Sequence, residues 1–205
     1  YASLTNLSAG TTYHYRVTVS RPGGEVSSPT YRFRTLPEAG PVTALLFGDS
    51  GSGARSQFAV ARQLHRLSSE ADLIVHLGDI VYPYLHAGQT DTRCLSVYRE
   101  AFRSLPSFMT WGNHDLAVGP SAFQAAFRVP TNDTPALEHL LDRTQPDFYY
   151  SFDAGDAHFA VLFWPYSSQY FMQPDCPQLQ WLERDLAASA KRWKLCERRS
   201  VMSPA

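Results

Sequence analysis

Three short polar motifs each follow a run of apolar residues, and this repetition leaves few folds open to the chain. Continuous apolar runs of this length are typical of strands buried on both faces of a sheet. The motifs are G-D-S-G at 48–51, G-D-I-V-Y at 78–82 and G-N-H-D at 112–115, and the apolar runs cover 42–47, 73–77 and 107–111. In open α/β sheets, ligands bind at the carboxyl ends of the strands. The pattern therefore predicts a buried sheet with a shared metal site at one edge.

The polar side chains of the motifs form a set of hard oxygen ligands. Asp49 and Asp79 contribute carboxylates and Asn113 contributes an amide oxygen, and strand ends hold such ligands rigidly. One carboxylate can bridge two ions, and two-metal hydrolases keep their ions about 3.5–4 Å apart. Tyr82 follows Asp79 closely and adds a phenol, which as a phenolate favours a ferric ion.

The third motif also supplies candidate catalytic groups. His114 directly follows Asn113, so we expect its imidazole to meet the substrate while Asn113 faces the metal. Asp115 is expected to hold that imidazole in its protonated form by accepting a hydrogen bond from the ring. The alternative is that Asp115 is only a turn residue. His76 lies inside an apolar run and is predicted to be a hydrogen-bonded core residue.

Composition restricts the class of protein and of partner. With 205 residues, of which 44% are hydrophobic and 18% charged, the chain can form one substantial core and a smaller appendage. Its formal net charge of -1 gives no electrostatic reason to expect binding to nucleic acid or to an anionic membrane. No apolar run reaches the length of a bilayer span.

The cysteines leave two alternatives open. Cys94, Cys176 and Cys196 show no C-x-x-C spacing, which argues against a cysteine-ligated zinc site. A Cys94–Cys176 disulfide is one alternative in an exported protein, and buried free thiols are the favoured one.

Residues 1–36 have the sequence pattern of β-structure. Segments 12–19 and 30–35 alternate with a period of two around Arg-Pro-Gly-Gly at 21–24, which predicts an antiparallel hairpin. The approach to Tyr13 resembles the tyrosine corner of Ig-like sandwiches, and the segment is similar to the last strands of a fibronectin type III-like β-sandwich. The proline- and glycine-containing residues 37–41 are predicted to be an interdomain linker.

From residue 42 onward strands and helices alternate, which indicates an α/β domain with a mixed sheet over residues 42–205. The predicted helices and strands are helices 56–67, 95–104, 122–127 and 178–190 and strands 148–152 and 158–163. Residues 191–195 resemble the entry to another buried strand, whereas 196–205 have the composition of a surface tail. We expect a truncation or a change of reading frame there, which would leave the domain C-terminally incomplete.

The three motifs, in this order and at these intervals, resemble the first three motifs of the calcineurin-like metallophosphoesterases. Tyr82 and the sandwich-like front narrow the resemblance to the purple acid phosphatases. The aromatic run at 149–152 and Gln-Trp-Leu at 180–182 agree with it, and the resemblance covers the chain up to about residue 195. It implies an α/β metallophosphoesterase sandwich.

The resemblance also implies a binuclear centre with a role for each site residue. Asp49 and Tyr82 would bind Fe(III), and Asp79 would bridge it to a divalent zinc, iron or manganese ion. Asn113 would bind that second ion, and His114 would steady the phosphoryl oxygens or protonate the leaving alkoxide. Hydroxide generated by the metals would attack phosphorus in line, without a covalent enzyme intermediate.

The chain departs from the family pattern in its histidines. Purple acid phosphatases need further histidine ligands from V-x-x-H and G-H-x-H segments, and neither segment occurs in this sequence. Because neutral imidazoles contribute strongly to transition-metal affinity, we expect both metal sites to be incomplete. This polypeptide alone is therefore predicted to be a poor or inactive enzyme.

The predicted function is the metal-dependent hydrolysis of phosphate monoesters by a binuclear centre of acid phosphatase type. One alternative is a phosphodiesterase or nucleotide-directed esterase of the same superfamily, which would differ in its substrate loops. A second alternative is a non-catalytic surface binding protein that uses the sandwich-like front, although the joint presence of all three motifs argues against it. The resemblance also implies a small phosphate-ester substrate and a secreted or extracytoplasmic location.

Overall fold

The computed structural model describes residues 2–117, 121–130, 148–163 and 176–197. Within these ranges the strands form four small sheets, two with two strands and two with three. The two-stranded sheets belong to the N-terminal residues, and the three-stranded sheets form the α/β part of the chain.

The N-terminal strands form an antiparallel hairpin with one interruption. β1 (Thr12–Tyr15) pairs with β4 (Tyr31–Arg34), and β2 (Thr18–Arg21) pairs with β3 (Gly24–Ser27). The predicted hairpin is thus confirmed, with a break between β1 and β2 that the alternation did not indicate. Tyr13 Oη accepts a hydrogen bond of 2.8 Å from Ser8 N, a contact typical of a tyrosine corner. A complete fibronectin-like sandwich stays a prediction.

The three apolar runs before the motifs form one parallel sheet. Its strands are β5 (Ala44–Phe47), β6 (Leu73–His76) and β7 (Ser107–Met109), in the order β5-β6-β7. Phe47 is opposite His76, and His76 is opposite Met109, so the strands end at the same level. β6 is buried throughout, as predicted. The prediction of burial on both faces is wrong for β5, where Leu46 is 51% exposed.

The second three-stranded sheet is mixed, as predicted. β8 (Tyr150–Ala154) and β9 (Ala157–Val161) form a hairpin that turns at residues 155–156, and β10 (Trp193–Glu197) lies parallel to β9. The prediction of a buried strand at 191–195 is wrong in its burial, because β10 is an exposed edge strand. β10 also includes Cys196 and Glu197, which were predicted to start the surface tail. Residues 198–205 of that tail lie outside the described ranges.

The two three-stranded sheets pack face to face through aromatic rings. The rings of Phe108 and Phe152 stack with centroids 3.5 Å apart, and Phe152 stacks on Phe159 at 4.9 Å. Leu73 and Val75 of β6 are fully buried in the same layer. Each such side chain contributes about 1.5–3 kcal/mol of hydrophobic stabilisation. This layer fixes the sheet whose carboxyl edge carries the motifs.

Three helices agree with the predictions, whereas the helical region at residues 87–102 differs from them. α1 (Arg55–Leu67), α5 (Ser121–Ala126) and α6 (Pro177–Ala188) begin and end within two residues of the predicted ranges. The prediction of one helix at 95–104 is right only for α3 (Arg99–Phe102). The segment before it contains α2 (Ala87–Thr90) and a π-helical turn (Asp91–Leu95). Arg93 in the π-helical turn donates to Tyr82 O at 2.6 Å, a tertiary contact that local periodicity does not encode.

The segment predicted as a linker is hydrogen-bonded to the turn of the β8–β9 hairpin. Gly155 N donates to Pro37 O, and Asp156 N donates to Gly40 O, both at 2.8 Å. Asp156 Oδ1 in turn accepts from Gly40 N at 2.8 Å. Gly155 has φ 54°, and a Cβ at this position would collide with Gly40 O, so only glycine fits. The segment is therefore docked along its length.

The cysteines are free thiols. Cys94 and Cys176 are buried and Cys196 is exposed, so the favoured alternative is confirmed and a Cys94–Cys176 disulfide is wrong. Among the helices of the described ranges, none is long and apolar enough to span a bilayer.

Candidate metal centre

The carboxyl ends of β5, β6 and β7 lead into the three motif loops, which meet at one edge of the sheet. Asp49 and Asp79 have φ angles of 51° and 49°, in the left-handed region that non-glycine residues seldom adopt. Such outliers concentrate at functional sites, where the surrounding structure holds them in place. Asp49 N donates to Gly78 O and Ser50 N donates to Asp79 O, both at 3.1 Å. The first loop therefore stays paired with the second beyond the ends of the strands.

Glycines allow the loops to approach each other at backbone distance. A Cβ on Gly112 would collide with the Asp79 carboxylate and with Asp79 N. A Cβ on Gly51 would collide with Ile80 O in the same way. The second loop is thus enclosed on both sides, and the glycines of the first and third motifs are needed for this close packing.

Three of the four predicted metal ligands converge on a single point. Tyr82 Oη lies 2.6 Å from Asp49 Oδ1 and 2.8 Å from Asp79 Oδ2. The phenol has one proton, so it can donate to only one of the two carboxylates at a time. Asp79 is fully buried, and a cation held by these oxygens would offset part of the cost of burying its carboxylate.

The fourth predicted ligand has an unsatisfied oxygen. Asn113 Oδ1 is buried and accepts no hydrogen bond. Leaving a buried carbonyl oxygen without a partner costs about 1–3 kcal/mol. A cation beside this oxygen would remove that cost. Asn113 begins α4 (Asn113–Leu116), whose next backbone amide, His114 N, donates to Asp79 Oδ1 at 3.1 Å.

These donors fit a hard metal ion. Two carboxylates, a phenol and an amide oxygen form an all-oxygen set of the kind that suits Fe(III) or Mn(II). No group of three or more His, Cys, Asp and Glu side chains within the described ranges could hold a metal ion. Tyr82 and Asn113 would therefore have to complete what Asp49 and Asp79 begin.

His114 presents one ring nitrogen to this cluster. Its Nδ1 lies 2.5 Å from Pro83 O, and because a carbonyl only accepts, Nδ1 carries the proton. Its Nε2 lies 3.8 Å from Asp79 Oδ2. The ring packs against Tyr82, with centroids 4.6 Å apart, and stacks on Tyr84 at 6.0 Å. The imidazole is about one-third exposed, so a substrate can reach Nε2.

Asp115 was predicted to accept a hydrogen bond from the His114 ring, but its carboxylate bonds backbone amides instead. It is fully buried, and its carboxylate accepts from Ile80 N at 2.9 Å and from Gly112 N at 2.8 Å. Asp115 is the third residue of α4, and side chains at this position turn back to the helix N-terminus, away from the preceding side chain. Burial raises the pKa of Asp115 to about 7, although the backbone hydrogen bonds from Gly112 and Ile80 lower it.

Two residues outside the three motifs also shape the site. His76 is the predicted hydrogen-bonded core residue: its Nδ1 accepts from Gly78 N at 3.2 Å and its Nε2 lies 2.8 Å from Ser50 Oγ. These bonds connect the first two loops, which the sequence did not indicate. Arg93, which was missed, holds the carbonyl oxygen of Tyr82. The only feature of the sequence that points to it is a positively charged residue 11 positions after Tyr82.

The calcineurin-like phosphoesterase family matches residues 42–199, which is most of the chain. The chain therefore belongs to this family, and the predicted membership is confirmed.

Known purple acid phosphatases are similar to the chain. Purple acid phosphatase 22 of Arabidopsis thaliana is 29% identical over 187 residues, which cover 91% of this chain and 39% of that protein. Phosphoenolpyruvate phosphatase of Allium cepa is 26% identical over 187 residues, which cover 89% of this chain and 37% of that protein. The chain thus spans about two-fifths of the length of these relatives.

A solved structure shares the fold. The purple acid phosphatase PPD1 from yellow lupin (Lupinus luteus) seeds superimposes with a TM-score of 0.71 at 19% identity. The alignment covers 94% of this chain and 37% of the lupin chain. The likeness supports the α/β fold of the described residues.

Proposed function

We propose that the chain contributes to a binuclear metallophosphoesterase that hydrolyses phosphate monoesters, in the manner of an acid phosphatase. The observation that carries the proposal is the convergence of Asp49 Oδ1 and Asp79 Oδ2 on Tyr82 Oη, each within 2.8 Å of it, together with the unsatisfied Asn113 Oδ1 of the third loop. The relatives support the monoester class, since one of them is a phosphatase named for phosphoenolpyruvate. A small phosphate ester is the proposed substrate, and the secreted or extracytoplasmic location stays a prediction.

Each ligand has a proposed place. Asp49 and Tyr82 would hold Fe(III), Asp79 would bridge the ions, and Asn113 would hold divalent zinc, iron or manganese. Such an ion pair supplies activated water and neutralises charge on the phosphoryl group. Burial of Asp79 and its bond from His114 N keep its carboxylate in one orientation, as a bridging group requires.

His114 is the proposed proton donor. The bond from Nδ1 to Pro83 O fixes the ring, and the flanking rings of Tyr82 and Tyr84 limit its rotation. Nε2 is then the nitrogen that can donate to a phosphoryl oxygen or pass a proton to the leaving alkoxide. After that transfer the ring is neutral and keeps its proton on Nδ1.

The test is the iron-binding signature of Tyr82. The chain loaded with Fe(III) is expected to show a visible phenolate-to-iron absorption band and bound iron by metal analysis. Tyr82→Phe should lose the band, whereas the matched control Tyr84→Phe should keep it, since Tyr84 touches His114 and no proposed ligand position. A band of unchanged intensity in Tyr82→Phe would refute the proposed ligand set.

A further inference from the structure

The second and third motif loops are joined by two carboxylates, one from each loop, and each accepts a hydrogen bond from a backbone amide of the other loop. From the second loop, Asp79 Oδ1 accepts from His114 N of the third loop at 3.1 Å. From the third loop, Asp115 accepts from Ile80 N of the second loop at 2.9 Å. The other Asp115 oxygen accepts from Gly112 N at 2.8 Å, within its own loop.

The positions of these amides relative to the proposed ligands are specific. Ile80 directly follows Asp79, and Gly112 directly precedes Asn113. A single carboxylate therefore bonds the backbone next to one ligand and the backbone next to the other. The loops touch closely here, because a Cβ on Gly112 would collide with Asp79. A small change in loop separation must then move the two ligands relative to each other.

The contacts of Asp115 leave it no direct role with solvent, with substrate or with the His114 ring. Its side chain is fully buried, so it can meet neither solvent nor substrate. Both of its oxygens point to backbone amides, and the His114 ring is held by Pro83 O instead. Burying a carboxylate costs free energy, and charge-assisted hydrogen bonds from two backbone N–H groups offset part of that cost. A carboxylate is also a small side chain that offers two acceptor oxygens, one for each donor.

We propose that Asp115 is a positioning residue that sets the separation of the second and third loops, and thereby the spacing between the Asp79 carboxylate and Asn113 Oδ1. The inference rests on the proposed function for its metal but on the hydrogen bonds above for its geometry. His76 performs the corresponding task between the first and second loops through Ser50 and Gly78.

The central variant is Asp115→Asn in the full chain. The amide has nearly the same shape, but its NH2 group must face one of the two N–H donors, so one bond is lost. The matched control is Asp185→Asn, which alters a carboxylate on α6 that bonds Ser151 and His158, both on strands of the second sheet. Two quantities are measured: amide hydrogen exchange by NMR, and Mn(II) affinity by titration calorimetry.

Asp115→Asn is expected to accelerate exchange at Ile80 and Gly112 by about tenfold or more. Mn(II) binding should weaken by about 10–100-fold, the usual effect of losing a group that orients metal ligands. Asp185→Asn should leave both quantities at the wild-type level. The proposal is overturned if Asp115→Asn binds Mn(II) as tightly as Asp185→Asn, or if the two amides keep their protection.

Two further measurements cover the remaining outcomes. If Asp115→Asn fails to fold, the proposal is tested on the wild-type chain. The amide hydrogens of Ile80 and Gly112 are then expected to exchange as slowly as those of the buried strand β6. Fast exchange at these two amides would overturn the proposal. Asp115→Glu keeps the charge and both acceptors, so its Mn(II) affinity should exceed that of Asp115→Asn. A wild-type chain that binds no Mn(II) would refute the proposed ligand set, and the exchange rates then still decide whether Asp115 sets the loop spacing.

Discussion

Buried carboxyl groups at single positions decide how this molecule responds to pH. Glu197 at the end of β10 is 7% exposed, its Oε2 has no hydrogen-bond partner, and burial raises its pKa to about 7. The native state therefore keeps a proton that the unfolded state has already lost between about pH 4.5 and pH 7. In that window the free energy of unfolding falls as the pH rises, and above it this contribution is constant. Asp115 acts in the same direction.

Glu197→Gln should remove the Glu197 part of this dependence. At pH 8 the variant is expected to be more stable than the wild type by about 1–3 kcal/mol, because no charge has to be buried. At pH 4.5 the two proteins should differ little. Urea unfolding at both pH values measures this, with Glu25→Gln on the exposed strand β3 as control. Equal pH profiles for Glu197→Gln and the wild type would contradict the prediction.

The unsatisfied oxygen of Asn113 leads to a second prediction at this scale. Asn113→Ala removes a buried acceptor that has no donor, so the metal-free chain should lose less than about 1 kcal/mol of stability. The stabilisation that Mn(II) confers on the wild type should fall sharply, since ligands stabilise only the state that binds them. Thermal unfolding with and without Mn(II) tests both parts. Full metal-induced stabilisation of Asn113→Ala would show that Oδ1 is not a ligand.

At the scale of elements, His158 connects two strands and a helix. Its Nδ1 lies 2.7 Å from Asp153 Oδ1 on β8, and its Nε2 lies 2.8 Å from Asp185 Oδ2 on α6. Ser151 Oγ donates to the other Asp185 oxygen at 2.8 Å. His158 itself is on β9 and is 6% exposed, and Asp185 is mostly buried, so the bond between them is shielded from water, whereas Asp153 is half exposed.

His158→Ala should destabilise the chain by about 1.5–3 kcal/mol, because it removes a hydrogen bond from the Asp153 carboxylate and one from the mostly buried Asp185 carboxylate. The double variant His158→Ala/Asp185→Ala should cost less than the sum of the single variants by about 1 kcal/mol or more. Chemical unfolding of the four proteins closes the cycle. Additive costs would mean that the ring and the carboxylate do not interact.

Elements with a strong local pattern were predictable, and elements fixed by distant contacts were not. The apolar runs before the motifs gave the three parallel strands, and the turn at 155–156 gave the β8–β9 hairpin. The helix predicted at 95–104 is limited to Arg99–Phe102, and the π-helical turn before it contains Arg93, whose contact with Tyr82 O in the second motif loop no local pattern encodes. In the site, Asp49, Asp79 and Tyr82 were correctly expected to converge. The partners of Asp115 were not, because sequence patterns do not specify which backbone amides a buried carboxylate meets.

At the scale of the whole molecule, the N-terminal hairpin is fastened to the α/β part by a few specific contacts. Tyr15 Oη donates to Arg103 O at 2.9 Å. The guanidinium of Arg103 lies 4.6 Å from the ring centroid of Tyr31. Arg34 and Asp72 form an ion pair at 3.7 Å, but Arg34 is mostly exposed, so this pair contributes little. Docking of the hairpin therefore depends mainly on Tyr15 and Tyr31.

Tyr15→Phe should loosen this docking while leaving the hairpin itself intact. The variant loses one hydrogen bond worth about 0.5–1.5 kcal/mol, so the undocked population should rise about fivefold. Cleavage after Glu38 by a glutamate-specific protease under native conditions measures that population, because the bonded segment at 37–41 must open first. Tyr13→Phe is the matched control, since its hydroxyl contacts Ser8 within the N-terminal segment and reaches no part of the α/β layer. Equal cleavage rates for the two variants would mean that the N-terminal hairpin is held by packing, and that the Tyr15 hydroxyl adds nothing to it.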